Sequence, residues 1–116
     1  SPSQIDEKIH KQLIIISKKI LNNLNYIGLL TIEFFLDDEN NIYVNEIAPR
    51  VHNSGHITLD NANMSQFELH IKAITKDKIK TPKIIKKGLM RNLIGNEIKR
   101  TKQISKLKIY KLYKLF

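Results

Sequence analysis

The chain has 116 residues, no cysteine and a formal charge of +9. That length allows at most one ordinary domain with a modest core, which is short for an enzyme that closes a cleft around its substrate. Without cysteine there is no disulfide framework and no thiolate metal site, and no apolar run approaches the roughly 20 residues of a membrane span. Ser1 leads directly into a polar, helix-initiating segment with nothing that reads as a signal peptide. A cytoplasmic protein, or a piece of one, is therefore expected.

Ser3-Gln4-Ile5-Asp6 offers a helix N-cap with an acid three residues on. Ile5, Ile9, Leu13, Ile16, Ile20 and Leu24 then recur at spacings of four and three, which predicts a helix of about twenty residues with one apolar stripe. Asn25 and Gly28 supply its stop. Residues 29–36 and 42–47 read as strands, with the turn cluster Asp37-Asp38-Glu39-Asn40-Asn41 between them. The connection is too short for a crossover, so the pair is an antiparallel hairpin. With a four-residue loop over 38–41, Glu33 stands opposite Glu46, Phe35 opposite Val44, and Ile32 opposite Ile47 on the other side. Directly opposed like charges roughly 4.5–5.5 Å apart are destabilising. Either a divalent cation lies between the two glutamates, or they are simply solvated acids near a sheet edge.

Residues 45–56 follow as a polar run holding one carboxylate, one arginine, two histidines and two asparagines. A stretch of that kind cannot bury a core face, and it resembles a loop that carries chemistry on a rigid scaffold. Arg50 offers a planar donor fork for carboxylate, bicarbonate or phosphate. His52 and Asn53 can donate to the same oxygens, and Ser54-Gly55 can bring backbone amides close. Beside a cation held by Glu33 and Glu46, this is the layout of phosphoryl transfer, where positioning and charge neutralisation do most of the work. A zinc site on His52 and His56 is poorly supported, because Asn53-Ser54-Gly55 is poor helix and no third nitrogen ligand lies nearby. A hydrolase built on Ser54 lacks the strand, sharp turn and helix that aim such a nucleophile. The four glycines are scattered and make no phosphate-cradling loop.

Residues 58–63 read as irregular. Ser65-Gln66-Phe67-Glu68 is a second capping box, opening a helix to about Thr75 with Phe67, Ile71 and Ile74 on one face. Thr81-Pro82 breaks the chain, and residues 89–94 predict a short strand after Gly88. From Gly95 onward Ile98, Ile104, Leu107, Leu112 and Leu115 give no clean period. The charge is uneven. Through Ile71 there are nine acids against five Lys and Arg, a balance of −4, and from Lys72 there are fifteen against two, a balance of +13. A Lys-rich tail can attract nucleic acid or another polyanion non-specifically. The plainer reading is compositional drift, since Lys, Ile and Asn dominate the whole chain.

Residues 28–35, the run Val44-Asn45-Glu46-Ile47-Ala48-Pro49-Arg50-Val51-His52-Asn53-Ser54-Gly55-His56, and Ser65-Gln66-Phe67-Glu68 together carry a resemblance. They resemble the 5-(carboxyamino)imidazole ribonucleotide synthase family of ATP-grasp enzymes, also called ATPase subunits of phosphoribosylaminoimidazole carboxylase. The likeness covers roughly residues 1–95, with Met90-Arg91-Asn92-Leu93-Ile94-Gly95 similar to a later strand of the family. It implies an α+β fold: a partial ATP-grasp domain with an antiparallel sheet packed with helices over residues 1–76, and a partial, divergent remnant of a small C-terminal domain over 77–116.

The resemblance also implies a reaction of de novo purine biosynthesis. ATP phosphorylates bicarbonate to carboxyphosphate, which carboxylates the amine of 5-aminoimidazole ribonucleotide. By position, Glu33 and Glu46 would bind magnesium, Asn45 and Glu46 would contact ATP, and Arg50, His52 and Asn53 would hold bicarbonate or carboxyphosphate. Many ATP-grasp relatives have an asparagine two residues after the second metal glutamate. Here that position is Ala48, as in the synthase subgroup, so no third protein ligand is implied. Whole members of the family work on small molecules, as homodimers, with no role for a membrane or nucleic acid. Their N-terminal domain and the ATP-gripping subdomain would precede Ser1, so the chain is expected to be a C-terminal fragment, inactive alone. The alternative is a non-catalytic fragment whose Lys-rich tail binds a polyanion.

Overall fold

The computed structural model describes residues 5–100. Helix α1 (Glu7–Leu24) starts from Asp6, whose carboxylate accepts the Lys8 N–H at 2.7 Å. The acid expected to close a capping box is thus itself the cap, and Ser3 lies outside the described residues. Asn25 ends the helix in the left-handed conformation at φ 49°, with its N–H returned to the Asn22 carbonyl. Gly28 sits at φ 140°, where a Cβ would come within 2.7 Å of the Tyr26 hydroxyl. Of the predicted stripe, Ile9 is buried and Leu13, Ile16 and Ile20 are half-buried, while Ile5 and Leu24 at the ends are exposed.

Strands β1 (Thr31–Leu36) and β2 (Ile42–Ala48) form a two-stranded antiparallel sheet. Ile32 pairs with Ile47 and Glu33 with Glu46, the partners expected from a four-residue loop. Beyond Glu33 the register slips by one, so Phe34 faces Val44 and Phe35 faces Tyr43 rather than Val44. The cause is twofold. The turn takes five residues, 37–41, and Asn45 is inserted as a bulge with no partner across the sheet. The Asp37 carboxylate holds that turn by accepting the backbone N–H groups of Glu39 (3.0 Å) and Asn41 (2.8 Å) and the Asn41 side-chain amide (2.9 Å).

After the polar loop, residues expected to be irregular make a single turn of helix α2 (Thr58–Asn61). Helix α3 (Gln66–Ile74) begins at Ser65, whose Oγ accepts the Glu68 N–H at 3.2 Å, as the capping segment predicts. Ile71 and Ile74 of its apolar face remain exposed. The strand expected over 89–94 does not form, and Leu89 is 91% exposed. A strand needs a partner, and the pairing that does form lies further upstream. Asn63 donates its N–H to the Lys83 carbonyl, Ile85 donates to Asn61, and Ala62 bridges Ile84. A 3-10 stretch, Gly95–Arg100, closes the described chain, and the aperiodic tail from 101 lies outside it.

The architecture is α+β, with a small core of Ile9, Ala48 and Met64 and two buried polar side chains, Asn61 and Gln66. Large apolar groups such as Ile15 (65% exposed) and Phe35 (61%) face outward. Among the described residues no helix is long and apolar enough to cross a membrane.

Candidate functional site

The hairpin brings two carboxylates together because Glu33 and Glu46 occupy directly opposed positions. The bulge then adds a third oxygen-bearing group. Asn45, displaced from the ladder, places its side-chain amide 3.4 Å from Glu33 Oε2. In a regular strand Asn45 and Glu46 would point to opposite faces of the sheet, and the extra residue is what lets both serve one side.

His52 completes the cluster. Its Nδ1 lies 3.5 Å from Glu33 Oε1 and its Nε2 lies 3.8 Å from Glu46 Oε1, with the imidazole side chain only 14% exposed. Nδ1 also stands 2.9 Å from Ser54 Oγ and accepts the Ser54 N–H at 3.4 Å. Among the described residues no lysine or arginine pairs with either glutamate.

The loop between β2 and α3 is held from three sides. The Tyr26 hydroxyl donates to the Pro49 carbonyl at 2.9 Å, and Thr31 Oγ1 donates to the Arg50 carbonyl at 3.5 Å. At the other end the His52 N–H donates to Gln66 Oε1 (2.9 Å), while Gln66 Nε2 donates to the His52 carbonyl (2.8 Å). Residues Asn53–Gly55 form one 3-10 turn, and the His56 ring stacks on Phe67 at 5.5 Å between centroids. His56 is therefore committed to packing, apart from the cluster. His70 is likewise structural, accepting the Leu29 N–H on Nδ1 at 3.1 Å.

Glu33, Asn45, Glu46 and His52 thus meet at one place. Arg50 and Asn53 lie exposed on the same loop, and among the described residues their side chains make no hydrogen bond or ion pair with that cluster. The Arg50 guanidinium donates through Nη1 to the Val51 carbonyl at 3.0 Å, so most of its donor fork remains open to an added anion. Sequence reasoning missed Tyr26, Thr31 and Gln66, whose partners lie 14 to 23 residues away. The capping pattern at Ser65 marked the place of Gln66 but not its task.

The donor set suits a hard cation. Two carboxylates and an amide offer oxygen ligands, and magnesium is ordinarily held by one or two carboxylates with phosphate and water completing the shell. No group of three or more His, Asp or Glu side chains among the described residues is arranged to hold a metal unaided. Ala48, two residues past Glu46, is a buried methyl group and adds nothing to the set.

The ATP-grasp domain family matches residues 1–67. The N5-carboxyaminoimidazole ribonucleotide synthase of Bacillus subtilis (strain 168) is 39% identical over 113 residues, 97% of this chain and 30% of that protein. The crystal structure of N5-carboxyaminoimidazole synthetase from Staphylococcus aureus complexed with ADP aligns with a TM-score of 0.80 at 35% identity, covering 92% of this chain and 29% of that one. The N5-carboxyaminoimidazole synthase of Aspergillus clavatus, solved with ADP and 5-aminoimidazole ribonucleotide, aligns with a TM-score of 0.62 at 31% identity, covering 66% of this chain and 21% of that one. The chain spans less than a third of the length of the curated relatives it matches, 22% and 30% in two cases.

Proposed function

The chain belongs to the ATP-grasp family, and from that premise we propose that it carries the metal- and anion-holding part of an ATP-dependent carboxylase acting on 5-aminoimidazole ribonucleotide. One observation carries the reading. Glu33 and Glu46 oppose each other across the hairpin with His52 between them and, among the described residues, no lysine or arginine paired with either. An arrangement that unfavourable for two anions makes sense when a divalent cation and phosphate are the missing partners.

In this reading Glu33 and Glu46 hold Mg2+, and Asn45 and Glu46 meet the nucleotide at the bulge. When bound there, magnesium would supply charge neutralisation for phosphoryl transfer. Arg50, His52 and Asn53 would hold bicarbonate beside the nucleotide. Transfer breaks the bond to ADP and forms carboxyphosphate, and the exocyclic amine then takes the carboxyl group as phosphate departs. The named relatives support this assignment of substrates, since one was solved with ADP and another with ADP and the ribonucleotide. The same resemblance supports a homodimer for the full-length enzyme, to be read from its mass in solution. It also supports a cytoplasmic setting, where charged ribonucleotides are made and used.

The test exchanges this segment into the matching stretch of the Bacillus subtilis relative. Glu46→Gln in the exchanged protein is expected to lower bicarbonate-dependent phosphate release from Mg-ATP by on the order of 100-fold or more. An unchanged rate overturns the assignment of the carboxylate pair.

A further inference from the structure

Gln66 is the first residue of α3 and is 3% exposed, yet its carboxamide reaches out of the helix rather than into the core. It makes two antiparallel bonds to one residue of the loop, accepting the His52 N–H at 2.9 Å and donating to the His52 carbonyl at 2.8 Å. The pairing mimics one rung of a β-ladder, built by a side chain. Its own N–H is satisfied by Thr58 Oγ1 at 2.9 Å, which anchors the donor end to α2. The opposite wall is main chain. A Cβ placed on Gly55 would overlap Gln66 Oε1 and come within 2.8 Å of its Cδ, so the loop closes on the carboxamide with no room for a side chain.

We infer that Gln66 is the positioning residue of the anion loop, setting His52 between the two carboxylates by fixing the His52 main chain; the inference rests on the metal reading given above. Only an amide of this length serves. A carboxylate would keep the acceptor and lose the donor, facing the His52 carbonyl with a second unshared oxygen. An apolar side chain of equal volume would leave a half-buried N–H and C=O unpaired. In either case the His52 ring is no longer held at 3.5 and 3.8 Å from Glu33 and Glu46, and the flanking Arg50 and Asn53 drift with it.

The test is made on the full chain by NMR, with Mn2+ as a paramagnetic probe. Gln66→Met keeps the volume and removes both bonds, and Gln66→Glu keeps only the bond to the His52 N–H. Amide exchange at His52 is expected to rise about tenfold in Gln66→Met, and to stay near the parent value in Gln66→Glu. The α3 amide of Leu69, which donates to Ser65, serves as the control for folding. Substoichiometric Mn2+ added with inorganic pyrophosphate, which supplies the oxygen ligands the side chains lack, is expected to broaden both the Asn45 amide and the His52 ring signals in the parent chain. In both variants the His52 broadening should fall while that of Asn45 persists, a split that a merely destabilised fold would not produce. Failure of Mn2+ to broaden Asn45 in the parent would sink the metal reading, and the His52 exchange would still judge Gln66. Unchanged His52 exchange in Gln66→Met, with Leu69 still protected, overturns the inference.

Discussion

Two stretches without long secondary structure flank α3, and they are organised in opposite ways. Residues 49–66 are tied at Pro49 and Arg50 by the side chains of Tyr26 and Thr31 and at His52 and Gly55 by their own Gln66 and Thr58, and two buried polar residues, Asn61 and Gln66, lie among them. Residues 76–94 are joined to the preceding stretch chiefly near 81–86, through Asn61 and Asn63, and all six lysines between 76 and 87 are exposed. The difference teaches that an irregular segment becomes a fixed scaffold when side chains, the buried Gln66 foremost, satisfy its main chain. Residual polarity alone does not do it.

Glycine substitutions should break the comparison most sharply. At Gly55 an added methyl group collides with the Gln66 carboxamide, so Gly55→Ala is expected to destabilise by roughly 2–3 kcal/mol through overlap and loss of the paired bonds. At Gly88, in the looser stretch, the nearest atoms to an added Cβ are Ile57 and Asn61 carbons at 3.5 and 3.6 Å, which is ordinary contact. Gly88→Ala should therefore stay within about 0.5 kcal/mol of the parent. Denaturant melts of the two variants side by side decide the point. Equal costs would mean the two stretches do not differ in the way described.

The part of the site that was legible in the sequence was the part made by local periodicity. The opposition of Glu33 and Glu46 was read from alternation and a four-residue turn, and it stands because the five-residue turn and the Asn45 bulge offset each other. The bulge was not legible, because Asn45 is one polar residue among several, and only the five-residue turn and its Asp37 bonds reveal the slip. Gln66 was invisible for a different reason. Its partner lies 14 residues upstream, and nothing in a capping pattern says what the next side chain will touch. The strand expected over 89–94 failed on the same ground: propensity is local, whereas a ladder partner is not. The chemistry of Arg50 and Asn53 is read from residue type and family, since among the described residues neither side chain makes a hydrogen bond or ion pair with the cluster.

A gentler probe sharpens the looser half. Asn63 joins the two stretches through its side chain, donating to the Thr81 carbonyl at 3.2 Å and accepting the Lys83 N–H at 2.8 Å. These bonds are exposed, so Asn63→Ala should cost only about 1 kcal/mol in a melt. Its local consequence should be larger. Loosening of 81–83, where only main-chain bonds then remain, should accelerate tryptic cleavage at Lys83 several-fold, about 3–10 times, while the 49–66 loop is cut no faster. Uniform acceleration at both places would show that the two stretches unfold together.

The smallest effect is expected where the same device operates in water. In the hairpin turn Asp37 does for Glu39 and Asn41 what Gln66 does for His52, gathering main-chain N–H groups onto one side chain, but every partner is exposed. Donation from the Asn41 side-chain amide, followed by its backbone N–H, holds the Asp37 carboxyl below the usual carboxylate range, and the Tyr43 hydroxyl that also donates to it at 3.2 Å is held above the usual phenol range. The signs are opposite. The Asp37 contribution to stability is present above its unfolded value and fades as the pH falls through the folded one, whereas the Tyr43 contribution is present below its unfolded value and fades as the pH rises through the folded one. Asn41→Ala should move the Asp37 midpoint upward in a carboxyl-detected titration while leaving the melting temperature at neutral pH almost unchanged, because water replaces each lost bond. A large drop in melting temperature would put the turn on the same footing as the buried loop, and burial would then cease to be what separates a scaffold from a surface turn.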